Sequence, residues 1–532
     1  MTQLPIAFLD GVSACLRSAG TSMSGFHVYL MIFAIALPLI MALALAVSGK
    51  LPERMVKACA AIGFLVPGLS SLWLGAVYLA SATDGGYMFT VLADLGLSSR
   101  FGIYLHLGLN GIALPFYMLA GLVGMAAGFY AIQSGVERLR LFLILLLVMQ
   151  GGLMGVFSSV DVLFFYFFHE FALIPTFVMI AIWGRTGRKA VALEVTIYLT
   201  LGAMITLAGL IALYVFTGAT EFSMTGMRAA LWGSGFPHQG TLFGLLLIGF
   251  GILVSLFPFH TWAPRAYATA PAPVAMLHAG VLKKFGLYGL IQIAYPLLPQ
   301  GAMEWGPLLL WLALGNLLVI GFVTMAQRDL KLMLGSASVM HMGYAFLGLY
   351  AYSTVGIGAA IMMLVAHGLS VALLFLLADV VEKRGGTADM SELGGMGTRT
   401  PVLMGLFPAA MMASVGLPGF ANFWGELGIF VSLYASPTPW VLYLALLGII
   451  ISAVYGLRAV AKVFFGEAKG EIPDGDIKAS EKWPALLLLA ALFLIGLWPR
   501  LISDPVNEGV LQTFPDRAPV ITAPAGEISL TE

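Results

Sequence analysis

Six titratable side chains stand inside long apolar runs of this sequence, where an ionisable group is costly and is usually retained for a reason. They are Glu170, Lys283, Lys284, His341, His367 and Glu426. Glutamate, lysine and histidine can each gain and release a proton, and burial shifts how readily they do so. The chemistry that this set offers is proton transfer between buried groups.

Two of these positions have a titratable neighbour in the next residue. Glu170 lies in the aromatic-rich run FFYFFHEFALIP, which favours a proton-handling acid over a carboxylate that only joins two helices by a hydrogen bond. Residues adjacent in a helix point about 100° apart, so we interpret His169 as a packing histidine on another face. Lys283 and Lys284 should likewise diverge. Their position near the middle of a span favours a functional role for at least one, over snorkelling or a helix contact.

The remaining candidates are weighed by their place in a span. His341 and His367 fall on adjacent spans without another ionisable partner, which favours a relay over two structural histidines. Glu426 follows the break LPG. We expect Asp161 and Asp379, at span ends, to be interfacial and solvated.

Proline-rich sequence surrounds the two lysines. The stretch 255–290 holds Pro258, Pro264, Pro271 and Pro273. Proline removes a backbone hydrogen bond and breaks a helix, and in lipid the freed groups must be covered by protein or a wet cavity. His260 stands at this break, where it could cap freed carbonyls or take part in transport.

Composition identifies the class of chain that must position these groups. The 532 residues are 60% hydrophobic and 10% charged, with no net charge, which predicts an all-α polytopic membrane protein. Nucleic-acid binding has no support. Two cysteines are too few for an iron–sulfur cluster or a cysteine-based zinc site, and no His/Cys set has metal-ligand spacing. The histidine pair has no spacing that would favour haem, and no phosphate-binding glycine loop follows a strand.

About fourteen spans are expected from runs of roughly 20 apolar residues. The seventh and twelfth should be broken, the latter at Leu417-Pro418-Gly419. The loop 466–483 and the tail after Arg500 should be solvated, and the N-terminal segment a loosely ordered or amphipathic lead-in. The predicted spans are 27–49, 56–81, 108–132, 139–158, 160–183, 193–216, 241–262, 272–297, 305–325, 332–352, 355–380, 402–434, 439–461 and 483–501.

Charge and symmetry suggest how the spans are arranged. Nineteen of the 26 lysines and arginines fall in loops after odd-numbered spans, which predicts both termini on the non-cytoplasmic side. A broken span followed by another span occurs twice, which suggests two inverted five-helix repeats with ion sites near the breaks. The expected divisions are 1–138 for helices 1–3, 139–297 and 298–465 for the repeats, and 466–532 for a loop, helix 14 and a tail.

Several motifs together resemble the antiporter-like membrane subunits of respiratory complex I (NADH:quinone oxidoreductase), which are similar to Mrp-type cation/proton antiporters and membrane hydrogenases. The resemblance covers about residues 100–465 and is nearest to the chain M type, with Glu426 where sister chains carry lysine. The motifs are the stretch SLFPFHTWAPRAYATAPAPVAMLHAGVLKKFGLYGLI, FHEFALIPTFVMIAIWG, AQRDLKLMLGSASVMHMGYAFLGLY, MLVAHGLSVALLFLLADVVEKR and GLPGFANFWGE.

The resemblance implies a function and a place in the cell. It implies a proton path through Glu170, Lys284, His341, His367 and Glu426, driven by quinone reduction elsewhere in an assembly. NADH, FMN, iron–sulfur clusters and quinone would belong to partner subunits, with no cofactor, metal or redox centre in this chain. Partners would be other membrane subunits, including sister antiporter-like chains, and lipid. The location would be the bacterial inner membrane.

Three departures from the family pattern keep other functions open. Leu253 stands where a seventh-span lysine would pair with Glu170, Asn110 replaces a common aspartate, and Arg265 replaces another. His169 or Lys283 could take over the missing charge. Alternatively, the chain is a non-pumping structural subunit, or a cation/proton antiporter or ion-transport partner outside a respiratory chain.

Overall fold

The computed structural model describes residues 23–81, 85–95, 102–231, 237–469 and 475–514. These residues form eighteen helices and a two-stranded antiparallel hairpin. In the N-terminal half the elements are α1 Met23–Val47, α2 Glu53–Ala80, β1 Met88–Ala93, β2 Leu105–Leu109, α3 Ala113–Ile132, α4 Leu139–Ser158, α5 Val162–Trp183, α6 Arg188–Thr217, α7 Met224–Leu231, α8 Gln239–Val254 and α9 Trp262–Thr269.

In the C-terminal half the helices pack on one another without a sheet. They are α10 Ala272–Leu297, α11 Pro299–Ala326, α12 Leu330–Tyr350, α13 Thr354–Gly385, α14 Pro401–Val415, α15 Ala421–Tyr434, α16 Val441–Phe464, α17 Ala479–Leu497 and α18 Arg500–Thr513.

Twelve helices in the described part of the chain are long and apolar enough to cross a membrane. An α-helix meets that environment because all its backbone hydrogen bonds are made within the segment. The chain is therefore an integral membrane protein with the predicted all-α polytopic fold. Two more apolar helices, α8 and α14, are too short to span alone. Each is followed by a turn and another short helix, as predicted for the seventh and twelfth spans. The total of fourteen stays a prediction.

The centre of the bundle is built from α10 and α13. Their apolar cores are completely buried by protein, whereas those of α1, α6 and α17 are less than half buried. A helix that is apolar all round yet covered by protein can hold polar side chains away from lipid. The candidate proton-handling residues of α10 and α13 therefore lie in the protein interior.

Three turns of wider, π-helical winding interrupt the central helices. They span His278–Leu282 and Leu290–Ala294 in α10, and Gly315–Val319 in α11. A π turn inserts one extra residue and changes the direction of every side chain that follows, and it is frequent at functional sites.

Several features differ from the sequence expectations. The hairpin was not predicted. The third span begins at Ala113 rather than at 108, because Asn110 caps that helix. Oδ1 of Asn110 accepts from Ala113 N at 2.8 Å. The prediction of a solvated tail after Arg500 was wrong for residues 500–514. They form α18, which buries Ile502, Val506 and Val510 against the bundle.

Two other predicted segments are only partly or not at all described. The predicted N-terminal lead-in lies outside the described residues. In the loop 466–483, Asp476 is not free in solvent, because its carboxylate accepts from Leu403 N at 3.2 Å at the start of α14.

Candidate functional site

Lys284 and His367 form the closest contact between the predicted site residues. The Lys284 ammonium on α10 lies 2.8 Å from Nδ1 of His367 on α13, and it donates to the carbonyl of Ala279 at 2.6 Å. Both side chains are fully buried. A proton can pass between the two nitrogens without any change of the backbone.

The line of titratable groups continues from His367 to His341 on α12. The two imidazole rings lie 5.7 Å apart between centroids. Nε2 of His341 is 2.9 Å from the hydroxyl of Tyr455 on α16, so the ring is held in one orientation. The expectation that these histidines have no other ionisable partner was wrong, since His367 contacts Lys284 and His341 lies near Glu426. Their predicted relay stays a prediction.

Glu426 on α15 stands at the far end of this line. Its Oε1 is 3.9 Å from Nδ1 of His341, and Nδ1 makes no hydrogen bond within the described part of the chain. The carboxylate packs directly over Gly416, where an added Cβ would come within 2.1 Å of Oε2. Gly416 has a left-handed φ of 84° and ends α14. Glu426 can occupy this position only because the residue that ends α14 at the second break is a glycine.

Lys283 points to another set of partners. Its ammonium donates to the backbone carbonyl of Ser338 at 3.2 Å and contacts the hydroxyl of that residue at 3.4 Å. It also lies 5.5 Å from the centre of the Tyr267 ring, on α9 after the first break. The prediction that the two lysines diverge agrees with these contacts, and both side chains are buried.

Glu170 lies apart from the lysines. It is on α5 with 27% of its side chain exposed, and its Oε1 is 3.5 Å from Nδ1 of His169. The two neighbours therefore approach each other although they leave the helix in different directions. The His169 ring stacks on Phe285 at 3.7 Å. Among the described residues, no hydrogen bond or ion pair joins Glu170 to Lys283 or Lys284.

His278, in the proline-rich stretch, is buried and was not among the predicted site residues. Its ring lies between those of Trp262 and Tyr267, at 5.5 and 5.1 Å. It is close enough to interact electrostatically with Lys283, Lys284 and His169. The sequence carries one signal for this: His278 and Lys283 are five residues apart. That spacing brings two residues to the same face of a π-helical turn but not of an α-helix.

The first break is capped by Asn316 of α11. Oδ1 of Asn316 accepts from Phe257 N at 2.5 Å, while its Nδ2 donates to the carbonyls of Ser255 and Val339 at 3.1 and 2.9 Å. The His260 ring instead stacks on Phe257. His260 also interacts with the backbone of Pro258 at this break, so its role as a cap stays a prediction.

A cluster of ion pairs lies where α12 and α13 meet the loop between α5 and α6. Lys331 contacts Asp379 at 2.7 Å and Glu382 at 2.6 Å, and Lys383 contacts Asp379 at 2.9 Å. Arg185 joins the cluster by pairing with Glu382 at 2.9 Å. A cavity of about 200 Å³, lined by these five side chains among others, opens beside it.

Two aspartates expected to be solvated at span ends are buried instead. Asp379 is largely enclosed because it pairs with two lysines and accepts from the Tyr130 hydroxyl at 2.6 Å. Asp161 is 1% exposed and caps α5 by accepting from Leu163 N and Phe164 N. Burial raises the pKa of Asp161 to about 6.

A further polar pair connects α3 and α10. Nε2 of Gln292 donates to Oδ1 of Asn110 at 2.9 Å. Gln292 lies in the second π turn. Asn110, which stands where the resemblance implied an aspartate, is thus a neutral hydrogen-bonding partner.

The fold and the buried line from Lys284 to Glu426 define an antiporter-like integral membrane protein, with titratable groups beside broken helices. The chain belongs to the NADH:quinone oxidoreductase/Mrp antiporter transmembrane family, whose model matches residues 159–452. The family predicted from the motifs is thereby confirmed.

Relatives cover most of the chain. NAD(P)H-quinone oxidoreductase chain 4 2 of Thermosynechococcus vestitus is 33% identical over 88% of this chain and 88% of its own. NADH-quinone oxidoreductase subunit M of Pseudomonas aeruginosa is 31% identical over 82% of this chain and 87% of its own.

Solved structures show the same architecture. A chain of respiratory complex I from Thermus thermophilus with bound NADH superposes with a TM-score of 0.80 and 30% identity, covering 91% of this chain and 99% of that one. A chain of the Mrp complex from Dietzia sp. has a TM-score of 0.78 at 20% identity, covering 92% and 98%, and so shares the fold.

Proposed function

We propose that this chain is a proton-translocating membrane subunit of an NADH:quinone oxidoreductase-type assembly. The observation that carries the proposal is the 2.8 Å contact between the buried nitrogens of Lys284 and His367, continued by His341 to Glu426. Relatives over most of the chain are named as subunits of such oxidoreductases. The proton is the cargo, and the chain itself needs no redox group to move it.

The path is a sequence of short transfers between fixed groups. The Lys284 ammonium donates its proton to Nδ1 of His367. His367 then releases a proton from its other ring nitrogen to His341, whose ring centroid lies 5.7 Å away; this gap is wider than a hydrogen bond, so a ring rotation or a bridging water must close it. His341 in turn releases a proton from Nδ1 to Glu426, whose Oε1 is 3.9 Å away. Because the interior has a low dielectric constant, protonating one group strongly changes the proton affinity of the next. A charge change at one end can therefore move the proton along the line.

Glu170 and His169 form the corresponding acid and base in the first half. The divisions 139–297 and 298–465 would then be inverted repeats, each with one broken helix, which is supported by the turns after α8 and α14. Lys283 lies in the first repeat and contacts Tyr267 of that repeat and Ser338 of the second.

Redox chemistry would belong to partner subunits that hold NADH, FMN, iron–sulfur clusters and quinone. Sister antiporter-like chains would be direct neighbours, because a solved chain similar to this one is part of respiratory complex I. The assembly would lie in a bacterial inner membrane, with both termini of this chain on the non-cytoplasmic side. The basic loops after odd-numbered spans support that orientation.

Leu253 supports a second candidate function. It is buried on α8 at the position where a lysine would partner Glu170, so a subunit that has lost pumping and only connects its neighbours would carry such a residue. A cation/proton antiporter outside a respiratory chain is the third candidate, since the family includes Mrp antiporters.

Purification from the native membrane tests the assembly. The chain is tagged, extracted in a mild detergent and captured, and its companions are identified by mass spectrometry. Flavin and iron–sulfur subunits with NADH-driven quinone reduction are expected. Recovery of only antiporter-like chains, or of a soluble transport partner, would contradict the respiratory assignment.

Proton flux in inverted membrane vesicles tests pumping. NADH-driven acidification is compared between the natural chain, Lys284→Met and Glu426→Gln, with Lys57→Gln as a matched surface-lysine control. Lys57 pairs only with Glu53 on α2 within the described residues. Loss of acidification in both path variants, with uncoupled quinone reduction retained, supports translocation. Equal acidification in all four forms identifies a structural subunit.

A further inference from the structure

A buried asparagine lies at the second break as well as at the first. Asn422 is the second residue of α15 and is 0% exposed. One end of its side-chain amide lies 3.2 Å from the carbonyl oxygen of Ala413 and 3.3 Å from that of Ala366. An oxygen at that end would face two acceptors, so the nitrogen lies there and donates to both. The other end of the amide lies 3.4 Å from the Ser370 hydroxyl.

These two carbonyls belong to helices that position the proposed proton path. Ala413 lies in the last turn of α14, and Ala366 directly precedes His367 on α13. Asn422 therefore joins α15 both to the end of the broken helix and to the helix that carries the histidine. Asn316 makes comparable contacts at the first break, which it reaches from α11.

Glu426 contacts the same turn of α14 from one turn further along α15. Residues four apart in a helix lie on one face. Oε2 of Glu426 packs over Gly416, whose N donates to the Ala413 carbonyl at 3.2 Å. A buried carbonyl that loses a donor takes another one when it is near, and the protonated carboxyl of Glu426 is such a donor. Asn422 keeps this carbonyl occupied.

The hydroxyl groups around Glu426 already have partners. His341 and Tyr344 face Glu426 from α12, and Tyr455 faces it from α16. The Tyr344 hydroxyl donates to the carbonyl of Ala445 at 3.0 Å, and the Tyr455 hydroxyl lies 2.9 Å from Nε2 of His341. The proton of Glu426 is therefore exchanged with His341, provided that the end of α14 does not hold it.

We propose that Asn422 is a positioning residue that keeps the proton of Glu426 free to leave. Its donation to the Ala413 carbonyl stops the protonated carboxyl from donating there, and its donation to the Ala366 carbonyl fixes α15 against α13. In the release step only the carboxyl O–H bond breaks, and the proton passes to water. The inference rests on the proposed proton-translocating function, and it assigns a role in that function to a residue that does not titrate.

The pH dependence of NADH-driven acidification in inverted vesicles of the native assembly tests this role. Asn422→Ala gives the Glu426 carboxyl a free acceptor that stabilises its protonated form, so release should need a higher pH. The pH at which acidification is half-maximal should rise by about one unit, which is the effect of about one hydrogen bond. Asn422→Ser keeps one donor and should give a smaller rise, and it decides the test if Asn422→Ala does not assemble.

Two control variants separate proton release from packing. Ser432→Ala removes another buried polar side chain of α15, whose hydroxyl donates to the Ile429 carbonyl of the same helix. Asp476→Ala removes the cap at the other end of α14, where the carboxylate accepts from Leu403 N at 3.2 Å. Both controls should lower the unfolding temperature without moving the half-maximal pH.

The outcomes distinguish this inference from the proposed function. If Glu426→Gln acidifies as well as the natural chain at every pH, translocation through Glu426 is wrong. If Glu426→Gln loses acidification while Asn422→Ala and Asn422→Ser keep the natural half-maximal pH, the function stands and the role of Asn422 is overturned. A loss that is equal at every pH, or the same rise in Asp476→Ala, would make Asn422 a packing residue and overturn it too.

Discussion

The side chain of Asn316 replaces hydrogen bonds that the backbone loses around Phe257. Its Oδ1 accepts from Phe257 N, and its Nδ2 donates to the carbonyls of Ser255 and Val339. One fully buried amide on α11 thus joins the first broken helix to α12. A break at membrane depth is tolerated only when its polar groups are covered in this way.

Asn316→Ala should therefore destabilise the fold. It leaves one buried donor and two buried acceptors without these partners, each worth about 1–3 kcal/mol, so a loss of about 3 kcal/mol or more is expected. Asn316→Asp keeps the acceptor for Phe257 N but loses both donated hydrogen bonds. Its unfolding midpoint should therefore lie between those of the natural chain and Asn316→Ala. The midpoint of thermal unfolding in detergent measures this, with the exposed Asn507→Ala as control. Equal midpoints for Asn316→Ala and Asn507→Ala would contradict the capping role.

Lys284 and His367 should behave as consecutive members of one path. Lys284→Met and His367→Phe should each abolish acidification through this chain, since each removes one side of the 2.8 Å contact. The double variant should lose no more than either single variant, because groups that act in series are not additive. Vesicle acidification at equal assembly levels is the measurement. Independent, multiplying losses would show that the two residues serve different routes.

Lys331 and Lys383 should differ strongly in their effect on stability. Lys331 has 4% side-chain exposure and pairs with two carboxylates, whereas Lys383 has 47% exposure and pairs with one. Removing one partner of a buried pair costs about 3–5 kcal/mol, and of an exposed pair about 1 kcal/mol or less. Lys331→Met should lower the unfolding midpoint much more than Lys383→Met. A similar shift for both would mean that the cluster is solvated.

Asp161 should make stability depend on pH. Burial raises its pKa from 3.8 to about 6, so the folded state holds the proton more tightly than the unfolded state does. Its contribution is fully favourable below pH 3.8 and is lost as the pH rises through about 6. The loss is at most about 3 kcal/mol.

Asp161→Asn keeps an oxygen that can cap α5 but cannot ionise. The variant should match the natural chain near pH 4 and unfold at a higher temperature at pH 7, as measured by thermal unfolding across that range. A natural chain that is more stable than Asp161→Asn at pH 7 would show that the capping hydrogen bonds to the carboxylate outweigh its desolvation.

The sequence predicted the spans and both breaks because long apolar runs and prolines act locally. It placed His341 and His367 on adjacent spans, and their rings lie 5.7 Å apart. It missed the cap at Phe257, whose partner Asn316 is 59 residues away. It likewise missed the ion pair of Lys331 with Asp379, which depends on how α12 and α13 pack. Such contacts have no local signal, so expecting solvated aspartates at span ends was reasonable and wrong.

The π turn before Lys283 sets the direction in which the later side chains of α10 point. A single inserted or deleted residue within His278–Leu282 would leave α10 apolar, long enough and equally able to cross the membrane. It would nevertheless turn every later side chain by about 100°, moving Lys284 away from His367 and Gln292 away from Asn110. An insertion or deletion in this turn would therefore interrupt the proposed proton path even though composition and hydropathy stay almost the same.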